Sequence, residues 1–109
     1  MAVFYAVMVE VDPEEEALWN DWHTRQHIPA VLAEPGFVRA TKYRLDTSNS
    51  DWHQYLTVYE LASREALDAY LQGEAVTRLR ADHYNHFGYC TRLSRMILTP
   101  TAAVSKSVG

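Results

Sequence analysis

The pattern of hydrophobic and polar positions along the chain predicts six secondary-structure elements. Alternating or continuous runs rich in β-branched and aromatic residues are typical of strands, and apolar positions three or four residues apart are typical of helices. In chain order the pattern predicts a strand at 3–11, a helix at 13–32, strands at 37–45 and 53–61, a helix from 63 to 87 that is interrupted at Gly73, and a strand at 89–98.

Both ends of the first helix carry sequence signals. Asp12-Pro13-Glu14-Glu15 offers an N-cap, a proline at the first helical position and a glutamate at the third. Near the other end, Pro29 lacks a backbone N–H and disfavours helical geometry at Ile28. We therefore expect a helix that begins at Pro13 and whose last turn, just after His27, is irregular.

The order of elements predicts an α+β fold, the ferredoxin-like βαββαβ arrangement with a four-stranded antiparallel sheet. Residues 1–99 are expected to form a single domain, and 100–109 a loose C-terminal tail. Two helices cover only one face of such a sheet, yet the first strand is apolar on both faces, with Phe4, Ala6 and Met8 on one and Val3, Tyr5, Val7 and Val9 on the other. Because a large apolar patch is unfavourable in water, we expect a homodimer in which the sheets face one another.

Charge and cysteine content restrict the partners and the compartment. The net charge is −4, and the lysines and arginines are scattered singly, so neither nucleic acid nor a membrane is an expected partner. The first apolar run ends at Glu10 and lacks a basic region before it, unlike a signal peptide or a membrane span. Cys90 is the one cysteine, which excludes an internal disulfide, and a cytoplasmic location is expected.

Two short stretches carry a resemblance to known proteins. "WNDWHTRQHIPAVLAEPGFV", in a βαββαβ chain, resembles the dimeric α/β-barrel superfamily and in particular its EthD-like members, through Trp22, His27, Pro29, Pro35 and Gly36. "RLRADHYNHFG" resembles small bacterial domains of unknown function. The resemblance implies a dimer with a pocket between helices and sheet in each subunit, and it implies that His27 is an acid or base. Members of the superfamily range from cofactor-free monooxygenases and polyketide cyclases to muconolactone isomerases and haem-degrading enzymes, so the fold does not fix the chemistry.

Three histidines are the candidate catalytic residues. His23 and His27 lie four apart on one side of the first helix, and His83 shares a stripe of the second helix with Val76 and Leu79. Neutral imidazoles in an apolar cleft can carry protons near pH 7. The alternative is that the rings pack at a helix end and bond to backbone carbonyls. A metal site is not expected, because the cluster lacks cysteine ligands and a glutamate placed as in metalloproteases.

Four aromatic residues are candidates for substrate binding, with ordinary packing as the alternative for most of them. They are Trp22 on the first helix and Tyr5, Tyr55 and Tyr59 on the strands.

These observations favour a cofactor-independent enzyme that acts on a small, aromatic or polyketide-like molecule by histidine acid/base chemistry. Isomerisation, cyclisation, dehydration or elimination would fit, with His27 as the main acid or base and His23 and His83 in support. The alternative is a non-catalytic dimeric protein that binds a small hydrophobic metabolite.

Overall fold

The computed structural model describes residues 2–46 and 50–107. The elements in chain order are β1 (Val3–Val11), α1 (Glu16–Trp22), a π-helical turn (His23–His27), α2 (Ile28–Leu32), β2 (Phe37–Arg44), β3 (His53–Leu61), α3 (Arg64–Gln72), α4 (Glu74–Phe87), a 3₁₀ turn (Gly88–Cys90) and β4 (Thr91–Leu98). Part of the predicted polar loop, residues 47–49, and part of the predicted tail, residues 108 and 109, lie outside the described residues.

The four strands form one antiparallel sheet in the order β2-β3-β1-β4. This order is the predicted ferredoxin-like arrangement, which is confirmed. The described helices pack on one face of the sheet, where they bury odd-numbered residues of β1 such as Tyr5 and Val9. Because side chains alternate along a strand, Phe4, Ala6 and Met8 lie on the opposite face. Their cross-strand neighbours there are Leu98 for Phe4, Val58 for Ala6 and Leu56 for Met8.

Two boundaries differ from the prediction. The first helix begins at Glu16, because Pro13–Glu15 form a turn in which the Asp12 carboxylate accepts a hydrogen bond from the backbone N–H of Glu14 at 3.0 Å. The last strand begins at Thr91, so Cys90 lies in the 3₁₀ turn before it and is buried there. The interruption at Gly73 is as predicted, and Ser63 caps α3 by accepting from the N–H of Ala66 at 3.1 Å.

No helix in the described part of the chain is long and apolar enough to cross a bilayer. Residues 99–107 are exposed and have neither helix nor strand.

The turn between α2 and β2 depends on a glycine. Gly36 has φ of 86°, where side chains are strained, and a Cβ there would overlap the Cβ of Ala66 on α3. We predict that Gly36→Ala lowers the free energy of unfolding by about 1–3 kcal/mol, measured by urea denaturation. Gly73→Ala is the matched control, because φ at Gly73 is −89° and a Cβ there would lie 3.2 Å from the carbonyl oxygen of Ala69, a tight contact without overlap. It should change stability by less than about 1 kcal/mol. Equal losses for the two variants would contradict this account of Gly36.

Candidate functional site

A small cavity lies between the helical layer and the sheet. Its volume is about 30 Å³, which is room for roughly two water molecules. Its wall contains both polar and apolar side chains. The polar ones are Tyr5, His27, Tyr59, Tyr70, Arg80, His83 and Arg95, and the apolar ones are Val7, Val31, Leu79 and Leu93. Two predicted histidines and two predicted tyrosines therefore meet at one cavity.

The π-helical turn places His27 at this wall. Pro29 has no N–H to donate to the carbonyl four residues earlier, and its ring crowds that carbonyl. One residue before it, the N–H of Ile28 bonds to the carbonyl of His23, five residues back, so the turn is wider than an α-helical one. The rings of His23 and His27 consequently stack, with centroids 5.4 Å apart and planes at 22°. The predicted irregularity after His27 is thus a widened turn that spans both histidines.

His27 is half-buried and stacks on Trp22, with ring centroids 5.3 Å apart. Its Nδ1 atom is buried and has no hydrogen-bond partner among the described residues. Nε2 is then the ring nitrogen left to meet a ligand. Burial lowers the pKa of His27 to about 4. The negative charge of Asp82 raises this pKa, and the positive charge of Arg95 lowers it further. The ring is therefore neutral at pH 7.

His83 enters the cavity from α4, and its ring centroid lies 5.5 Å from that of His27. Its Nε2 accepts a buried hydrogen bond of 3.0 Å from Nε1 of Trp19. An indole N–H only donates, so Nε2 carries no proton and the neutral ring has its proton on Nδ1. Burial, and then the neighbouring His27, Arg95 and His86, lower the pKa of His83 to about 4. His83 is thus a neutral hydrogen-bond donor at this wall.

His23 lies behind His27 and does not line the cavity. Its ring is buried and stacks on Trp19, with centroids 4.4 Å apart. Burial lowers the pKa of His23 to about 2, and the charge of Lys42 contributes. The Lys42 ammonium itself donates to Asn20 and Thr24 at 2.6 and 3.0 Å. This environment suits a supporting position for His23, out of reach of a ligand in the cavity.

Tyrosine hydroxyls form the second polar feature of the cavity. Tyr5 accepts a hydrogen bond of 3.0 Å from Arg80, and its ring lies 6.2 Å from those of Tyr59 and Tyr70. The hydroxyls of Tyr59 and Tyr70 have no hydrogen bond to other described residues. Burial raises the pKa of Tyr59, and it raises the pKa of Tyr70 to about 12, so both stay protonated and can donate.

Two of the predicted substrate-binding residues lie elsewhere. Tyr55 packs on Trp19 in the second hydrophobic cluster, and its hydroxyl donates to Glu16 at 2.5 Å. The other carboxylate oxygen of Glu16 is 2.6 Å from Nδ1 of His53. Trp22 is outside the cavity wall and stands between His27 and the exposed His86, stacking on both. Tyr55 thus ties β3 to α1, and Trp22 supports the His27 ring.

Three polar wall residues are not among the predicted catalytic and substrate-binding residues: Tyr70, Arg80 and Arg95. Arg80 lies four residues after Val76 and three before His83, so helical spacing alone places it beside the buried stripe. Arg95 follows Leu93 by two residues and therefore shares the helix-facing side of β4 with it. The sequence thus shows the spacing of Arg80 and Arg95 relative to buried residues. It does not show that they reach a cavity, because long cationic side chains fit a solvated surface equally well.

Within residues 2–46 and 50–107, no three or more histidine, cysteine or acidic residues are grouped so as to hold a metal ion. The expectation that no metal is needed stays a prediction.

The sequence of this chain matches one known protein family. The model of one family, described as a domain of unknown function, DUF4286, matches residues 2–100. The chain belongs to the DUF4286 family. No curated protein matches this DUF4286 sequence.

Solved structures share the fold of this DUF4286 chain at low sequence identity. An EthD (ethyl tert-butyl ether d) family protein from Bacillus halodurans has a TM-score of 0.68 at 18% identity, covering 93% of this chain and 100% of that one. SnoaB, a cofactor-independent oxygenase from Streptomyces nogalater, has 0.63 at 18%, covering 96% and 98%. A candidate antibiotic biosynthesis monooxygenase from Deinococcus radiodurans has 0.67 at 16%, covering 97% and 99%. The EthD-like, ferredoxin-like resemblance of the sequence is confirmed at the level of fold.

The buried neutral histidines predict a loss of stability in acid. Because the pKa of His23 falls from about 6.5 in the unfolded chain to about 2 in the folded one, protons bind the unfolded state first and stability falls as the pH drops below 6.5. Between pH 6.5 and pH 5 the loss is about 2 kcal/mol from this group. We predict that His23→Gln reduces the drop in unfolding free energy between pH 7 and pH 5 by about that amount, as measured by urea denaturation. The exposed-site variant His86→Gln should keep the wild-type drop, and a His23→Gln drop equal to the wild-type one would contradict the prediction.

Proposed function

We propose that this chain binds a small organic molecule at the cavity and transfers a proton with His27. The observation that carries the proposal is the meeting of a neutral histidine, His27, and a fixed donor, His83, at one wall with the hydroxyls of Tyr59 and Tyr70. A base beside several hydrogen-bond donors is the arrangement required to make and stabilise an enolate or a related oxyanion.

The proposed reaction begins with a carbon acid whose C–H bond lies next to a carbonyl group. Nε2 of His27 takes the proton, and the C–H electron pair moves into the carbonyl, which becomes an enolate. The enolate oxygen accepts hydrogen bonds from the hydroxyls of Tyr59 and Tyr70 and from Nδ1–H of His83. Where a C=C bond adjoins the enolate, His27 returns the proton to the far carbon of the dienolate, which gives isomerisation. Where the next carbon carries a hydroxyl, the enolate expels it as His27 protonates it, which gives dehydration. Where the same molecule holds a second carbonyl, the enolate carbon attacks it and His27 protonates the new alkoxide, which gives cyclisation. These steps use only groups of the chain itself, so we expect no cofactor.

Ligand entry requires movement of side chains, since a substrate needs far more room than about 30 Å³. Tyr70 lines both the cavity and an open groove of about 350 Å³ between the Glu34-Pro35 turn and the break at Gly73. A rotation of the Tyr70 ring would therefore connect the two spaces. The exposed Arg95 side chain borders the cavity on the side of β4.

One observation favours the alternative of a non-catalytic binding protein. With a pKa of about 4, His27 is a weak base at neutral pH, whereas a general base works best with a pKa near the working pH. A binding protein would hold its ligand unchanged, and it would retain the ligand when His27 is replaced.

We predict that the protein catalyses exchange of carbon-bound hydrogen for deuterium in D₂O. Proton NMR of a panel of small aromatic ketones and keto acids, with EDTA present, would detect loss of the exchanging signal. His27→Gln should slow the exchange by about 100-fold or more, because positioned acid/base groups contribute factors of this order, and it should change the unfolding free energy by about 1 kcal/mol or less.

His86→Gln is the matched control, since this exposed ring also stacks on Trp22 but lies outside the cavity wall. Exchange that proceeds at the wild-type rate in His27→Gln would overturn the catalytic role. Tight binding of a panel compound without any exchange, in both proteins, would support the binding-protein alternative.

We further propose a homodimer formed through the open face of the sheet. The centre of this face is apolar and includes Phe4, Met8 and Val58, while Met96 and Leu98 on the edge strand are 37% and 42% exposed. A polar rim follows at one end, where Glu10 accepts a hydrogen bond of 3.0 Å from Gln54 and lies 3.9 Å from Arg92. A second copy offers the same apolar face and the same paired rim.

Light scattering at micromolar concentration should give twice the mass of one chain. Val58→Lys, at the centre of the open face opposite Ala6, should give a monomer because it places a charge in the proposed interface. Leu18→Lys makes the same kind of change on an exposed residue of α1 and should leave the dimer intact. A monomeric wild-type protein would refute the dimer.

A further inference from the structure

Most polar groups of the cavity wall can donate a hydrogen bond to a ligand. Tyr59 and Tyr70 carry hydroxyls without partners among the described residues, and His83 offers its Nδ1–H. Arg80 and Arg95 add two guanidinium groups, and no aspartate or glutamate of the described part of the chain lines the cavity. In a chain whose net charge is −4, the wall of this cavity is positively charged.

Of the two arginines of the cavity wall, Arg95 is the one without a partner among the described residues. Arg80 donates to the hydroxyl of Tyr5 at 3.0 Å, but Arg95 makes no ion pair or hydrogen bond with another described residue. The acidic groups whose fields reach this wall are Asp82, near His27, and Glu34, near Tyr70; neither lines the cavity. The described residues of the wall therefore supply no negative charge to pair with Arg95, whose exposed guanidinium borders the cavity.

We propose that the ligand supplies this charge: the site takes a small, planar organic carboxylate, whose carboxylate group pairs with Arg95 and Arg80. This inference rests on the proposed function, since it names the substrate class of the same site. The apolar body of the ligand would lie against Val31 and Leu79, on the helical side of the cavity. Arginine suits this role because its planar fork matches the two carboxylate oxygens.

Such a ligand would also correct the weak basicity of His27. The positive charge of Arg95 lowers the pKa of both His27 and His83, and a carboxylate bound to Arg95 would offset that charge. The pKa of His27 then rises towards neutrality, supported by Asp82 on α4 and opposed by burial. His23 and His83, the other titratable rings of the cluster, add no charge at pH 7, because burial keeps both neutral. Substrate binding would thus prepare the base.

Benzoate and benzamide are the probes, because they have nearly the same shape and differ in charge. Titration of each into the protein at pH 7 and low salt, followed by ¹⁵N NMR of the histidine side chains, should show saturable binding of benzoate that shifts His27 and raises its pKa. Benzamide should bind at least tenfold more weakly. Arg95→Gln and Arg80→Gln should each weaken benzoate binding about tenfold and leave benzamide binding unchanged.

Arg78→Gln is the matched control: it removes the same charge from an exposed position of α4, two residues from Arg80 and outside the wall. It should leave benzoate binding within about twofold of wild type. Equal weakening by Arg78→Gln and Arg95→Gln, equal binding of the two probes, or binding of neither would overturn the carboxylate proposal. If benzoate and benzamide bind equally well and both shift the ¹⁵N signals of His27, the carboxylate proposal fails and the proposed function stands. If His27→Gln leaves the hydrogen exchange unaffected, the proposed function fails whatever the charge of the ligand.

Discussion

The site depends on one buried hydrogen bond, from Nε1 of Trp19 to Nε2 of His83. It joins the first helix to the last one, although the two residues are far apart in the sequence. Since an unpaired indole N–H or imidazole nitrogen is costly in a buried position, the bond fixes the side chain of each partner. It also decides the chemistry of His83: with Nε2 occupied, the ring presents Nδ1–H and acts as a donor, which leaves His27 as the neighbouring group able to accept a proton.

The fold was accessible from the sequence because each of its elements has a local cause. The alternation of side chains predicted the bounds of β3, His53–Leu61. The cap at Ser63 and the break at Gly73 predicted where α3 begins and ends. The start of the first helix was wrong by three residues, since Asp12 bonds within a turn instead of capping a helix. Pro29 predicted an irregular turn, but which hydrogen bond replaces the missing one depends on how the helix packs on the sheet, and that is not a local property.

The candidate site was only partly accessible, for a physical reason. His27 and His83 come from separate elements, and periodicity shows that each faces the sheet without showing that both reach one cavity. Tyr5, Tyr55 and Tyr59 all face the helices, yet Tyr55 lies under Trp19 and bonds to Glu16, away from the cavity. Which end of a sheet a side chain occupies follows from strand register, and Arg95 belongs to the site because β4 pairs with β1 so that Arg95 lies beside Val7.

The protonation of His83 tests the account most directly, because the assignment of donor and base depends on it. ¹⁵N NMR of the side chain at pH 7 reports which ring nitrogen carries the proton. We predict a single neutral tautomer protonated at Nδ1, with Nε2 unprotonated and hydrogen-bonded to the indole of Trp19. A ring protonated at Nε2, or at both nitrogens, would contradict it, since the bond to Trp19 could not then form and His83 would have a different part in the site.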